Sequence, residues 1–238
     1  SKQQVLNSSE NSSNTLYHFE EEVKVYDKEY SLSTSISIYP SFLNSFYEKG
    51  ASKTGQRLES DTLIISEVQL NHVDRNSGIS PKLELLFHGR SNNSRQIEIY
   101  VGKDPNSLRK LKTIDILAFE YSLTSNEIGF NDIGEDGRVF VGYKSLSQER
   151  LERYSISYLK INYTQNLDMN AKKSKILNFR PNPGQLLAVS MSGIQSSAAA
   201  YDITNVHHPV IVKGSVSNSF TYKSDGSNAK KLYLSSEI

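Results

Sequence analysis

The sequence predicts an all-β protein, built as an antiparallel, jelly-roll-like β-sandwich with flanking strands forming a second sheet or a small β domain. Three observations predict it. Short runs rich in β-branched and aromatic residues recur along the chain, clusters of Gly, Pro, Asn and Asp separate them, and no long amphipathic helical pattern intervenes.

Residues 1–15 are rich in Ser, Asn and Gln and read as a linker or frayed entry segment. Residues 16–59 form an N-terminal β segment. Within it Tyr30 to Tyr39 alternates, placing Leu32, Thr34, Ile36 and Ile38 on one face and serines on the other, as a half-buried strand does. Pro40 ends that strand, and Ser41 to Gln56, with Phe42, Phe46, Tyr47, Gly50 and Gly55, reads as an irregular loop with a helical turn.

The central sandwich spans residues 60–166, with strands at Thr62–Leu70, Lys82–Phe87, Gln96–Val101, Leu108–Ile114, Arg138–Tyr143 and Tyr154–Tyr163. Their separators are turn-like: Asp74–Pro81, Gly89–Ser94, Asp104–Asn106 and Asp132–Gly137. Residues 167–238 continue in β character as a C-terminal segment that packs with 16–59, punctuated by Pro181-Asn182-Pro183-Gly184. No fixed-period repeat is present, which argues against a propeller or solenoid.

Composition removes several functions. The chain of 238 residues has no cysteine, so it holds no thiol nucleophile, disulfide or cysteine-ligated metal. Lys and Arg total 27 against 26 for Asp and Glu, a net charge of +1 that leaves no basic excess for a phosphate backbone. No apolar run approaches the ~20 residues that span a bilayer, and the start lacks a signal-peptide core, so an export signal would lie upstream of Ser1. A start without Met and the ending Ser-Ser-Glu-Ile suggest a fragment of a longer protein.

Three segments carry a family resemblance. Tyr201-Asp202-Ile203-Thr204-Asn205, followed after a spacer by Pro209-Val210 and then by Phe220 and Tyr222, resembles a unit ahead of the catalytic domain in PorU-type sortases, gingipain-family cysteine peptidases of the type IX secretion system. The residues have a physical reading too, since Asp202, Thr204 and Asn205 can bond their own backbone as the chain turns and Pro209 ends the turn. A related Asp-Val-Ser/Thr-Asn-Pro unit occurs in some propeller blades. Tyr158-Leu159-Lys160-Ile161-Asn162-Tyr163 is similar to the strand closing the family's sandwich region, with Ser157 in place of its Asp, and Tyr17-His18-Phe19-Glu20-Glu21-Glu22 is similar to its entry segment. The resemblance implies a non-catalytic scaffold of an exported cell-surface enzyme. Its partners would be the enzyme's own downstream peptidase domain, cargo sorting domains and secretion-system proteins.

Other patterns point to chemistry. Ser157-Tyr158-Leu159-Lys160 and Lys53-Thr54-Gly55 match two motifs of penicillin-binding enzymes in reversed order, but a separation of three on an alternating strand sends Ser157 and Lys160 to opposite faces. His207-His208 reads as a pair of polar turn residues, while His18, His72 and His88 stand isolated. Asp132, Glu135 and Asp136 lie among glycines as the oxygen donors of a calcium loop do, without the spacing of an EF-hand; a hairpin turn explains them more simply. Glu20–Glu22 and Glu149–Glu152 read as solvated charge runs. A sandwich of this kind also admits carbohydrate binding, for which Tyr26, Tyr39, Tyr100 and Tyr121 would have to replace the absent Trp.

Overall fold

The computed structural model describes residues 17–30, 53–59, 61–147, 149, 152–169, 172–180, 186–194, 198–213, 219–223 and 230–235. The alternating stretch from Ser31, the loop through Gly50 and the Pro181–Gly184 turn lie outside the described residues. Two compact units emerge: Glu21–Tyr163, and Ser1–Glu20 with Thr164–Ile238. The strands in chain order are β1 (His18–Val25), β2 (Glu29–Tyr30), β3 (Lys53–Thr54), β4 (Leu58–Glu59), β5 (Ile64–Gln69), β6 (Lys82–Gly89), β7 (Arg95–Gly102), β8 (Arg109–Ile116) and β9 (Tyr121–Glu127). They continue with β10 (Arg138–Ser145), β11 (Arg153–Gln165), β12 (Ser174–Phe179), β13 (Leu186–Ser190), β14 (Ala199–Asp202), β15 (Val210–Lys213), β16 (Ser219–Lys223) and β17 (Lys230–Ser235).

The unit Glu21–Tyr163 is a sandwich of two antiparallel sheets, ordered β4-β11-β6-β9 and β5-β10-β7-β8. From β5 onward every connection crosses between the sheets except the β7–β8 hairpin, which is the strand order of a jelly roll. Alternation builds the core. Leu83, Leu85 and Phe87 from β6 and Ile156, Leu159 and Ile161 from β11 pack in one core with Val139, Val141 and Tyr143 from β10 and Ile97, Ile99 and Val101 from β7 of the other sheet. Phe87 and Tyr143 meet edge to face with centroids 5.5 Å apart, and each such buried side chain contributes ~1.5–3 kcal/mol through the water it sheds.

β9 has no counterpart among the strands read from the sequence. The residues it turns toward the interior side are Ser122, Thr124 and Asn126, so an edge strand with polar inward positions lacks the apolar alternation that marks its neighbours.

One expectation from charge fails here. Glu152 is not solvated: it is fully buried, and its carboxylate takes the Arg95 Nε–H and the Ser91 hydroxyl, the latter at 3.2 Å. Arg95 spends its remaining donors on the carbonyls of Ala118 (2.5 Å), Ser91 (3.2 Å) and Asn93. Gly89 is required beside this pair, because a Cβ there would stand 1.8 Å from the Ala118 carbonyl oxygen.

In the second unit β12 pairs with β17, β17 with β14, and β14 with β15, all antiparallel, and His18 of β1 stands opposite Phe179 of β12. β13 and β16 form a separate two-stranded sheet. The core gathers Leu177, Phe179, Leu232 and Leu234 with Met169, Met191 and three alanine-sized or small aliphatic neighbours, Ala198, Ala200 and Val212. Buried His18 accepts the Asn178 N–H at Nδ1 (3.0 Å) and reaches Glu20 from Nε2 (2.7 Å), so it is not isolated but clips the entry strand to β12.

Candidate functional site

The Tyr201–Pro209 segment closes β14 and opens β15. Asp202 Oδ1 accepts the Thr204 N–H at 2.8 Å, Thr204 Oγ1 accepts the Lys231 N–H at 3.0 Å, and Asn205 Oδ1 accepts the His207 N–H at 3.1 Å. The other Asp202 oxygen accepts from Lys230 Nζ at 3.0 Å in a pair with little solvent exposure. His207 and His208 are exposed turn residues, their backbone amides bonded to Asn205. Nothing in the sequence marks Lys230 as the partner, because it comes from a different strand.

Three arginines hold the acidic loop between β9 and β10. Asp132 receives Arg109 through both oxygens (2.7 and 2.5 Å) and the Gly129 N–H at 2.7 Å. Asp136 receives the Arg138 guanidinium at 2.6 Å. Arg75 donates to the carbonyls of Phe130, Ile133 and Gly134 at 3.0, 3.1 and 2.7 Å. Guanidinium groups thus engage carboxylate and carbonyl oxygens of the kind a hard cation would use. Glu135 is exposed, and among the described residues no group of three His, Asp or Glu side chains is placed to hold a metal. Gly137 completes the turn with φ +83°, where a Cβ would meet the Leu70 carbonyl oxygen at 2.0 Å.

The expectation that Ser157 and Lys160 diverge is overturned. A β-bulge between Ile156 and Tyr158 shifts the alternation, so Ile156 and Leu159 both enter the core while Ser157, Tyr158 and Lys160 line one surface hollow of about 470 Å³ with Lys53, Tyr26 and Val23. The bonding pattern is nonetheless not that of a nucleophile. Buried Ser157 donates its only proton to the Lys53 carbonyl (2.6 Å), so at the 2.8 Å contact with His88 Nε2 it is the ring N–H that donates. Burial, with Arg90 nearby, lowers His88 to about 4, so the ring is neutral at pH 7. The Lys160 ammonium pairs with Glu84 at 2.9 Å. Burial works against ionisation of Glu84, but the bonds from Lys160 and Tyr158 outweigh it and hold the carboxyl below its ordinary value. His88, isolated in sequence, therefore belongs to a buried polar cluster in which Thr54 also bonds Ser155 (2.8 Å) and Arg90 pairs with Glu29 (3.0 Å).

A second hollow of about 260 Å³ lies on the other side of Tyr26. Val25, Leu58, Ile64 and Ile156 supply apolar walls. The Tyr26 hydroxyl bonds Ser66 Oγ at 2.6 Å, and the Tyr143 hydroxyl joins both. Burial pushes the Tyr143 phenol well above its ordinary value, with Tyr26 adding to the effect. Tyr26, Tyr100 and Tyr121 form no common platform: Tyr26 borders the hollows, Tyr100 on β7 is bonded to Glu98, and Tyr121 lies on edge strand β9 of the other sheet. Tyr39 lies outside the described residues.

No family model matches the chain, and no curated protein matches it in sequence. Solved structures do. The chain superposes on dimeric latent PorU from Porphyromonas gingivalis with a TM-score of 0.67 at 10% identity, over 98% of this chain and 22% of that one. At that identity the likeness establishes a shared all-β fold, and this chain spans about a fifth of the length of PorU. A CBM36 domain of a xylanase from the hindgut metagenome of Trinervitermes trinervoides (TM-score 0.36, 10% identity, 60% of this chain and 96% of that chain) falls below a shared fold. So does the CBM22-1–GH10 region of xylanase 10B from Clostridium thermocellum (TM-score 0.29, 11% identity, 45% and 25%). Among the described residues no helix is long and apolar enough to cross a membrane.

Proposed function

We propose that this chain is the non-catalytic scaffold and interaction region of a PorU-like sortase of the type IX secretion system, lying ahead of a gingipain-like cysteine peptidase domain at the surface of a Gram-negative cell. In this reading it positions the peptidase and contacts the sorting domains of exported cargo or other secretion proteins. The observation that carries the proposal is the superposition along 98% of the chain on part of PorU. The ordered appearance of the Tyr17–Glu22, Tyr158–Tyr163 and Tyr201–Pro209 segments supports it. The chemistry agrees: the chain has no cysteine, and the hydroxyl proton of Ser157 is committed to the Lys53 carbonyl.

Reading the gene beyond the codon for Ile238 tests the proposal. Continuation into a domain with catalytic His and Cys is the expected result, and removal of residues 1–238 from that protein should leave cargo uncleaved. A different downstream domain overturns the sortase reading. Exposure of the chain to a fluorescent penicillin tests the non-catalytic part separately, since covalent labelling at Ser157 would contradict it.

A further inference from the structure

The strand β5 borders the Tyr26 hollow and is an edge of its sheet, pairing among the described strands with β10 alone. The ladder shows where its backbone groups go. Leu70 N–H donates to Gly137 O at 2.9 Å, one step beyond the opposed pair Gln69 and Arg138. In an antiparallel ladder that places the main-chain groups of Val68, Ser66 and Ile64 toward β10, and those of Ile65, Glu67 and Gln69 toward the open side.

Edges of this kind are usually blunted by charged side chains, Pro or a bulge. β5, reading Ile-Ile-Ser-Glu-Val-Gln, carries the single charge Glu67 and no Pro or Lys, and its register with β10 is unbroken. Ile65 and the preceding Leu63 are 39% and 42% exposed.

The hollow lies where a guest strand would need it. Ile64 and Ser66 turn their side chains between the sheets and form part of its wall. A strand added alongside β5 continues the same pleat, so every second side chain of the newcomer also points between the sheets. We propose that β5 and this hollow form a docking site for an extended peptide segment of a protein partner. The guest backbone pairs with Ile65, Glu67 and Gln69, and one large apolar or aromatic side chain seats against Leu58, Ile64 and Ile156, with the Tyr26 hydroxyl within reach of a polar tip.

The nature of the edge selects this occupant. A row of N–H and C=O groups at strand spacing is matched by another extended backbone, whereas a helix has already spent its own main-chain groups. A space of about 260 Å³ accommodates a single large side chain rather than a second packed element.

Random dodecapeptides displayed on phage, selected on the full 238-residue chain and resynthesised with a fluorescein label, provide the probe. The enriched peptides should alternate around one large apolar residue, and on binding they should shift the backbone amide signals of Ile65, Glu67 and Gln69. Glu67→Pro removes an N–H that faces away from β10, so it blocks the guest strand without breaking the ladder, and affinity should fall about tenfold or more. Ile64→Phe fills the hollow from its wall and should weaken binding similarly, giving a second variant if the proline one does not fold. Absence of any enriched peptide, or binding that neither variant changes and that shifts amides elsewhere, overturns the proposal. Peptide docking on a chain whose gene encodes no peptidase would retain this site while removing the sortase reading.

Discussion

Two acidic turns of this protein, at Asp132 and at Asp202, hold their aspartates by opposite means. In the sandwich, Asp132 sits under the fork of Arg109, a side chain 51% exposed, and two further arginines tie down the same loop. In the second unit, Asp202 pairs with the ammonium of Lys230, whose side chain has no exposure at all. A planar guanidinium can satisfy two carboxylate oxygens at the surface while part of it remains hydrated. A buried ammonium has little water to fall back on, so losing a carboxylate partner costs it more.

The largest test of that contrast is Asp202→Ala, which leaves the Lys230 charge buried with its carboxylate removed and should destabilise the second unit by about 3–5 kcal/mol. Urea denaturation followed through hydrogen exchange of the β14 and β17 amides measures it. The double variant Asp202→Ala with Lys230→Met should recover most of the loss, and a cost below ~1 kcal/mol for the single change would put the pair on the same footing as a surface bridge.

The sandwich has a buried titrating group of its own, which sharpens the comparison through pH. His88 is lowered to about 4 by burial and the nearby Arg90, against about 6.5 in an unfolded chain. Between these values the unfolded state binds more protons, so stability falls as pH drops from about 6.5 toward 4, by up to ~3 kcal/mol. His88→Gln, which keeps a donor toward Ser157, should flatten that part of the stability profile. An unchanged slope would show that other groups govern it.

Arg75→Ala should cost about 2–3 kcal/mol, because it strips the donor from three carbonyls at one end of the sandwich. Arg138→Ala should leave the unfolding midpoint unresolved from wild type, since both it and Asp136 are half exposed. Calcium should have an equally small effect if the arginines already supply the loop's cationic partners. Stabilisation of ~2.7 kcal/mol at a hundredfold excess over Kd would instead show that the loop takes the metal.

Much of the fold was legible where strand period and burial agree. β6, β7 and β10, and β11 on either side of its bulge, announce themselves through Leu, Ile, Val and aromatic residues at every second position, and the core uses those residues. β9 was not legible, because an edge strand has less need of apolar residues on its inner side. Ser157 and Lys160 were misplaced for a related reason: counting by two assumes an unbroken pleat, and the bulge at Ile156 inserts a residue that no local pattern records. Glu152 looked solvated because charge reads as exposure until a partner such as Arg95, far away in the chain, is brought to it.

The sequence by itself determined the all-β class, most of the strands, the absence of thiol chemistry and the turn-forming character of Asp202 to Asn205. Those properties reside in single residues and in neighbours two or three positions apart, where backbone preference and side-chain period act. Only the tertiary structure decided which strands neighbour one another within the jelly roll, the pairing of Arg95 with Glu152 and of Lys230 with Asp202, the arginine clamp on the β9–β10 loop, and the hollow beside the open edge of β5. Each of these depends on groups distant in the chain meeting at one place. Their energies come from burial and charge complementarity, which no local stretch of sequence contains.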